Sequence, residues 1–156
     1  MSSDHVFHLL KDRGLTIAYA ESMTGGQAIY EMIKHPGASS VVRGGMVVYQ
    51  DDLKTQWLGV DELLIHEEGV VSQAVARQLA KKIKDQSGAS IGIGITGNAG
   101  PTRQVGDAGF VAWIAISWDH HLEDIEIIFQ DLTREEAIHV TVEALYERLE
   151  EILTSM

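Results

Sequence analysis

Apolar residues recur along this chain at two spacings in turn, and the alternation predicts a succession of helices and strands. Val6, Leu9 and Leu10 lie at helical spacing within residues 4–13, and Gly14 is placed to close that helix as a left-handed cap. The run Leu15 to Ala20 reads as a strand. Ala28, Ile29, Met32 and Ile33 return to a 3.6-residue period, predicting an amphipathic helix over 25–34 that His35-Pro36-Gly37 ends. Val41 to Tyr49, with Met46-Val47-Val48-Tyr49 at its core, reads as a second, largely buried strand. Asp51-Asp52 opens a short helix that carries Lys54 and stops at Leu58-Gly59, and residues 61–66 suit another.

Ser72 is a favourable cap for a longer helix striped by Val75, Leu79, Ala80 and Ile83 and ended by Gly88. Ala89 to Thr96 is an unbroken small and apolar run, the pattern of a central strand covered on both faces. Gly92 and Gly94 within it point to a helix packed close against the strand. Gly109 to Trp118 and Leu122 to Gln130 read as an antiparallel hairpin turning at Asp119-His120-His121. Thr133-Arg134-Glu135-Glu136 is a capping box, and Ala137, Val140, Ala144, Leu145, Leu149 and Ile152 stripe the closing helix. The order α-β-α-β-α-α-β-β-β-α predicts an α/β fold, a three-layer α/β/α sandwich with a mixed sheet, formed by residues 1–156 as one domain. Sites in such sheets form at the carboxyl ends of strands. The loops after strand one, after strand two and after Thr96 meet that condition.

The first of these loops, Ala20-Glu21-Ser22-Met23-Thr24-Gly25-Gly26, is a strand-to-helix turn, where converging N–H groups favour an anion or a developing oxyanion. A Ser or Thr there most often only caps the helix. A serine nucleophile needs a base, and Tyr49 and Lys54 at the end of strand two are the candidates: a desolvated lysine is a neutral amine near pH 7. Tyr49 is equally suited to half-buried packing and Lys54 to solvent. Ser39 and Ser40 read as turn residues. Gly97-Asn98-Ala99-Gly100-Pro101 matches no standard phosphate loop, yet its N–H groups suit a phosphate or ribose.

Composition narrows the classes. With 156 residues and a formal net charge of −11, the chain forms one domain and repels a phosphate backbone, so nucleic acid is not an expected partner. Having no Cys, it lacks a thiolate nucleophile and thiolate metal sites; its seven histidines show no zinc spacing, and neither a metal nor a cofactor is expected. No apolar stretch approaches the ~20 residues of a membrane span, which predicts a soluble, cytoplasmic protein.

Read together, the loops resemble the CinA C-terminal domain family, whose characterised members are nicotinamide-nucleotide amidohydrolases. Ala20 to Gly26 resembles the family's Ala-Glu-Ser-Cys-Thr-Gly-Gly. Pro36-Gly37-Ala38-Ser39, Gly44-Gly45-Met46-Val47-Val48-Tyr49 with Lys54, and Leu58-Gly59-Val60 resemble its Pro-Gly-Ser-Ser, Gly-Gly-x-Val-x-Tyr-Ser-Asn-x-x-Lys and Leu-Gly-Val blocks. Gly69-Val70-Val71-Ser72 and Thr96-Gly97-Asn98-Ala99-Gly100-Pro101 are similar to its Gly-Ala-Val-Ser and Thr-Gly-Ile-Ala-Gly-Pro.

The resemblance implies hydrolysis of the carboxamide of nicotinamide mononucleotide to nicotinic acid mononucleotide and ammonia. It places the nucleophile on Ser22, the base on Lys54 and an assisting tyrosine on Tyr49. Glu21, Thr24, Gly25 and Gly26 form the turn expected at the substrate, with N–H groups around Thr24 to Gly26 for the oxyanion. Ser39 matches a further family serine, and Gly97, Asn98, Ala99 and Gly100 are expected to contact the nucleotide. A homo-oligomer, most simply a dimer, and a stand-alone form without the larger N-terminal domain of some members are also implied. Departures fall at Gln50 and Asp51, where the family has Ser-Asn, and at residues 102–108, where its Lys-Pro is missing and Arg103 is the candidate replacement for a phosphate contact. They leave a second reading: a drifted paralogue, related to competence or damage, that binds a nucleotide or a protein without turnover.

Overall fold

The computed structural model describes residues 2–100 and 110–156. Its elements are α1 (Ser2–Arg13), β1 (Ile17–Glu21), α2 (Gln27–Ile33), β2 (Val42–Val47), α3 (Asp51–Leu58), α4 (Glu62–Glu68), α5 (Gln73–Ser87), β3 (Ile91–Gly97), β4 (Val111–Trp118), β5 (His121–Ile128) and α6 (Arg134–Thr154), with a 3-10 turn at Ala38–Ser40. The strands form one mixed sheet in the order β2-β1-β3-β4-β5. β1 runs parallel to β2 and β3, while β3-β4 and β4-β5 are antiparallel.

The pleat sends alternate residues of each strand into different cores. Ile17, Tyr19, Ile93, Ile95 and Ile114 meet α1, α2 and α6 on one face, and Ala18 and Ala20 meet α3 and α5 through Leu58, Val75 and Leu79 on the other. Three layers result, as the sequence predicts. The buried Tyr19 and Tyr146 hydroxyls lie 2.8 Å apart, and Tyr146 donates to the Ala28 carbonyl, which ties β1, α6 and α2 together. Gly92 and Gly94 fit where no side chain does, because a Cβ at either position would overlap a carbonyl oxygen of α5, that of Ala80 or Ala76.

β2 corrects the reading of a largely buried strand. It lies at the edge of the sheet, with residues alternately half-buried and exposed, because β1 alone pairs with it. Its apolar run also outlasts the strand: Val48 turns into the core and Tyr49 is exposed. β1 begins two residues later than Leu15 and takes in Glu21. The hairpin turn shortens to Asp119-His120, with Asp119 at φ 48°, since Trp118 and His121 already pair. No helix among the described residues is long and apolar enough to cross a membrane.

Candidate active site

The parallel strands β2, β1 and β3 end on one side of the sheet, and their following loops enclose a cavity of about 570 Å³. Ser22, Met23, Tyr49, Gln50, Asp51, Lys54, Thr96, Gly97, Asn98, Gly100 and Arg134 contribute to its wall, together with Val70 and Val71.

Ser22 is held by a turn built around a buried carboxylate. Glu21, 1% exposed, accepts the Thr24 hydroxyl at 2.6 Å and the N–H groups of Gly26 and Ala28 at 3.2 and 3.0 Å on Oε1, and that of Ile29 at 2.9 Å on Oε2. A negative charge at a helix N-terminus satisfies its otherwise unpaired donors. Gly25 N–H donates to the Ser22 carbonyl, and Gly25 and Gly26 take φ values of 61° and 102°. The expected substrate-facing set therefore divides. The Glu21 carboxylate, the Thr24 hydroxyl and the N–H groups of Gly25 and Gly26 are engaged within the turn itself, whereas Ser22 and Met23 reach the cavity. Among the described residues no hydrogen bond engages the N–H of Met23 or Thr24.

Lys54 comes from α3, whose first turn carries Asp51 and Asp52 and whose end is capped by Gly59 at φ 77°. The helix buries Lys54 and Leu58, one turn apart, on its inner face, and Lys54 is 1% exposed. Its Nζ donates to the Val48 carbonyl at 2.8 Å, to the Tyr49 carbonyl at 3.1 Å and to Ser22 Oγ at 3.1 Å. Burial pushes the ammonium pKa below its ordinary value, and the Asp51 charge opposes that shift. Lys54 is thus a packed, inward-facing group and not a solvated surface lysine.

Tyr49 contributes its carbonyl to Lys54, while its half-exposed side chain accepts a 2.8 Å bond from Arg134 Nη2. Arg134, the first residue of α6, also donates from Nη1 to the Gly100 carbonyl at 2.8 Å. Its place in a capping box marks a helix start and gives no sign of the cavity. Thr96, another wall residue, is buried and donates to the Val70 carbonyl at 2.8 Å, which fixes the end of β3 against the entry to α5. Asn98 Oδ1 accepts the Gly100 N–H at 3.0 Å, folding the glycine loop on itself.

Of the remaining candidates, Ala99 lines a neighbouring cavity of about 430 Å³ beside Phe110 and Phe129. Ser39 lies in the turn that precedes β2, at the opposite end of the parallel strands from Ser22. Arg103 and the rest of the 101–109 stretch lie outside the described residues. Among those described, no group of three or more His, Cys, Asp or Glu is placed to hold a metal ion.

The family model of the CinA C-terminal domain matches residues 2–153. A relative from Geobacillus kaustophilus that bears a competence-damage inducible name is 44% identical over 108 residues, 69% of this chain and 26% of that protein. One from Bacillus cereus (strain B4264) is 47% identical over 93 residues, 60% of this chain and 23% of its own. The aligned region is thus about a quarter of these relatives' length. Solved structures match over nearly their whole chains. A CinA superfamily protein from Klebsiella pneumoniae superposes with a TM-score of 0.93 at 25% identity, covering 99% of this chain and 97% of that one. Competence/damage inducible protein CihA from Agrobacterium tumefaciens gives 0.90 at 29% identity, with 98% and 93% covered.

Proposed function

The chain belongs to the CinA C-terminal domain family, and from that premise we propose that it is an amidohydrolase converting nicotinamide mononucleotide to nicotinic acid mononucleotide and ammonia. The observation that carries this reading is the buried Lys54 Nζ, 3.1 Å from Ser22 Oγ. A neutral amine has two N–H groups and one lone pair. The Val48 and Tyr49 carbonyls take both N–H groups, which leaves the lone pair for the serine proton.

In the proposed reaction Lys54 removes the Ser22 proton as Oγ attacks the carboxamide carbon. The N–H of Met23, which lines the cavity and is unengaged among the described residues, is the donor for the oxyanion; of the Thr24 to Gly26 groups expected in that role, those of Gly25 and Gly26 are taken by their own bonds. The Lys54 ammonium returns the proton to the departing nitrogen, ammonia leaves, and a Ser22 ester remains. Lys54 then takes a proton from water as it attacks the ester, and releases the acid with Ser22 restored. Among the described residues, Arg134 keeps unengaged N–H groups beyond its bonds to Gly100 and Tyr49 for an anionic group of the nucleotide. Tyr49 serves by its carbonyl and by holding Arg134. The family also carries the expectation of a homo-oligomer, most simply a dimer.

Incubating the purified chain with nicotinamide mononucleotide and following ammonia tests the proposal. Ser22→Ala and Lys54→Ala are each expected to lower kcat/KM by roughly a thousandfold or more. Release no greater from wild type than from the variants rejects hydrolysis of this substrate. A ligand-induced rise in melting temperature without turnover favours the non-catalytic paralogue instead.

A further inference from the structure

The reaction cavity is electrically two-sided. Arg134 lies on one part of its wall, tied to Gly100 and Tyr49. Asp51 lies on another, in the first turn of α3 and three residues before Lys54, a spacing that puts both on neighbouring parts of one helix face. Asp51 is exposed, and no described residue forms an ion pair with it. A second cavity of about 950 Å³ adjoins the first through Asp51 and Val70, and Asp52, Glu62, Glu67 and Glu68 line it with His66. Asp51 is therefore the inner end of an acidic wall that reaches the reacting pair.

An acidic wall gives no help to a neutral amide and opposes an anion. It stabilises a cation, and the proposed substrate carries one: its pyridinium nitrogen is two ring bonds from the carbon that bears the carboxamide. With the amide carbon at Ser22 Oγ, the ring charge is brought into the part of the cavity that Lys54 and Asp51 share. Resting on the amidase reading above, we propose that Asp51 selects substrates whose amide-bearing ring is cationic, while Arg134 takes the anionic group across the cavity. Asp51 also bears on the base. The Asp51 charge favours the protonated Lys54, and a cationic ring seated against Asp51 cancels that field as substrate arrives.

The test uses the full chain, wild type and Asp51→Asn, with nicotinamide mononucleotide and its dihydro form, whose ring is neutral. The two rings differ in intrinsic reactivity, so the reading is how the ratio of their kcat/KM values changes between wild type and variant. Asp51→Asn is expected to lower the preference for the cationic ring about tenfold, the size of one partly screened charge pair at close range. A fold defect would lower both rates and leave the ratio alone, and an unchanged ratio overturns the inference. If neither compound releases ammonia, the amidase reading fails by itself, and calorimetric binding of the same two nucleotides decides on Asp51. A binding preference for the cationic ring that Asp51→Asn abolishes upholds the selection, and equal preference in both proteins overturns it.

Discussion

Replacing Glu21 by Gln removes one charge and one acceptor from the turn that carries Ser22 while keeping its size. The Gln carbonyl oxygen can take the place of Oε1 and keep the bonds from Thr24, Gly26 and Ala28. Its NH₂ then faces the Ile29 N–H, donor against donor. Losing a charged acceptor costs about 1.5–3 kcal/mol. Losing the favourable charge at the start of α2 adds about 0.3–1 kcal/mol. The easier burial of a neutral amide offsets part of this, leaving a net loss of about 2–3 kcal/mol. For a chain of this size each kcal/mol lowers Tm by about 2–4 °C, so a fall of about 4–12 °C is expected. Differential scanning calorimetry at pH 7 measures it, and a fall of less than about 2 °C refutes the idea that the carboxylate organises the turn.

Burial lowers the Lys54 pKa from its ordinary 10.5, so hydrolysis is expected to rise with pH along a limb whose midpoint lies below 10.5; a midpoint at or above it removes Lys54 as the base. The same shift means that the folded state binds fewer protons here than the unfolded chain. Its destabilising effect is full below the folded pKa, shrinks as pH rises and is gone above 10.5, so the Tm of wild type is expected to rise relative to that of Lys54→Met over that window. Gly94→Ala drives a Cβ into α5 backbone and is expected to cost about 1–3 kcal/mol, read as a fall in Tm of roughly 2–12 °C. A change of less than about 1 °C would show that α5 shifts freely.

Most of the fold was legible because each element carries a local signal. Gly14, Gly59 and Gly88 end helices with positive φ, the Thr133–Glu136 capping box forms, and Gly92 and Gly94 meet α5 as their spacing predicts. The edge position of β2 was not legible, because an apolar run does not reveal how many neighbours a strand has. Ser22 and Lys54 were recognisable from motif order, whereas Glu21's work inside the turn is a matter of hydrogen-bond geometry with no pattern of its own. Arg134 and Thr96 were missed for a related reason. Each has a complete local explanation, as a helix start or a strand residue, and only the folded sheet brings them to the cavity wall. Ser39 matched a motif in sequence yet lies at the far end of the parallel strands.

The bonds that close the cavity join distant parts of the chain: Lys54 to Ser22 across 32 residues, Arg134 to Gly100 across 34 and to Tyr49 across 85. Each is a loop whose closure costs entropy before the contact exists to offset it. Helices and the β4-β5 hairpin need no such closure, so they are expected to form before these contacts in refolding. On the amidase reading, activity is therefore expected to return after far-UV ellipticity in refolding, because the cavity wall is complete only once Arg134 at the start of α6 meets Gly100 and Tyr49.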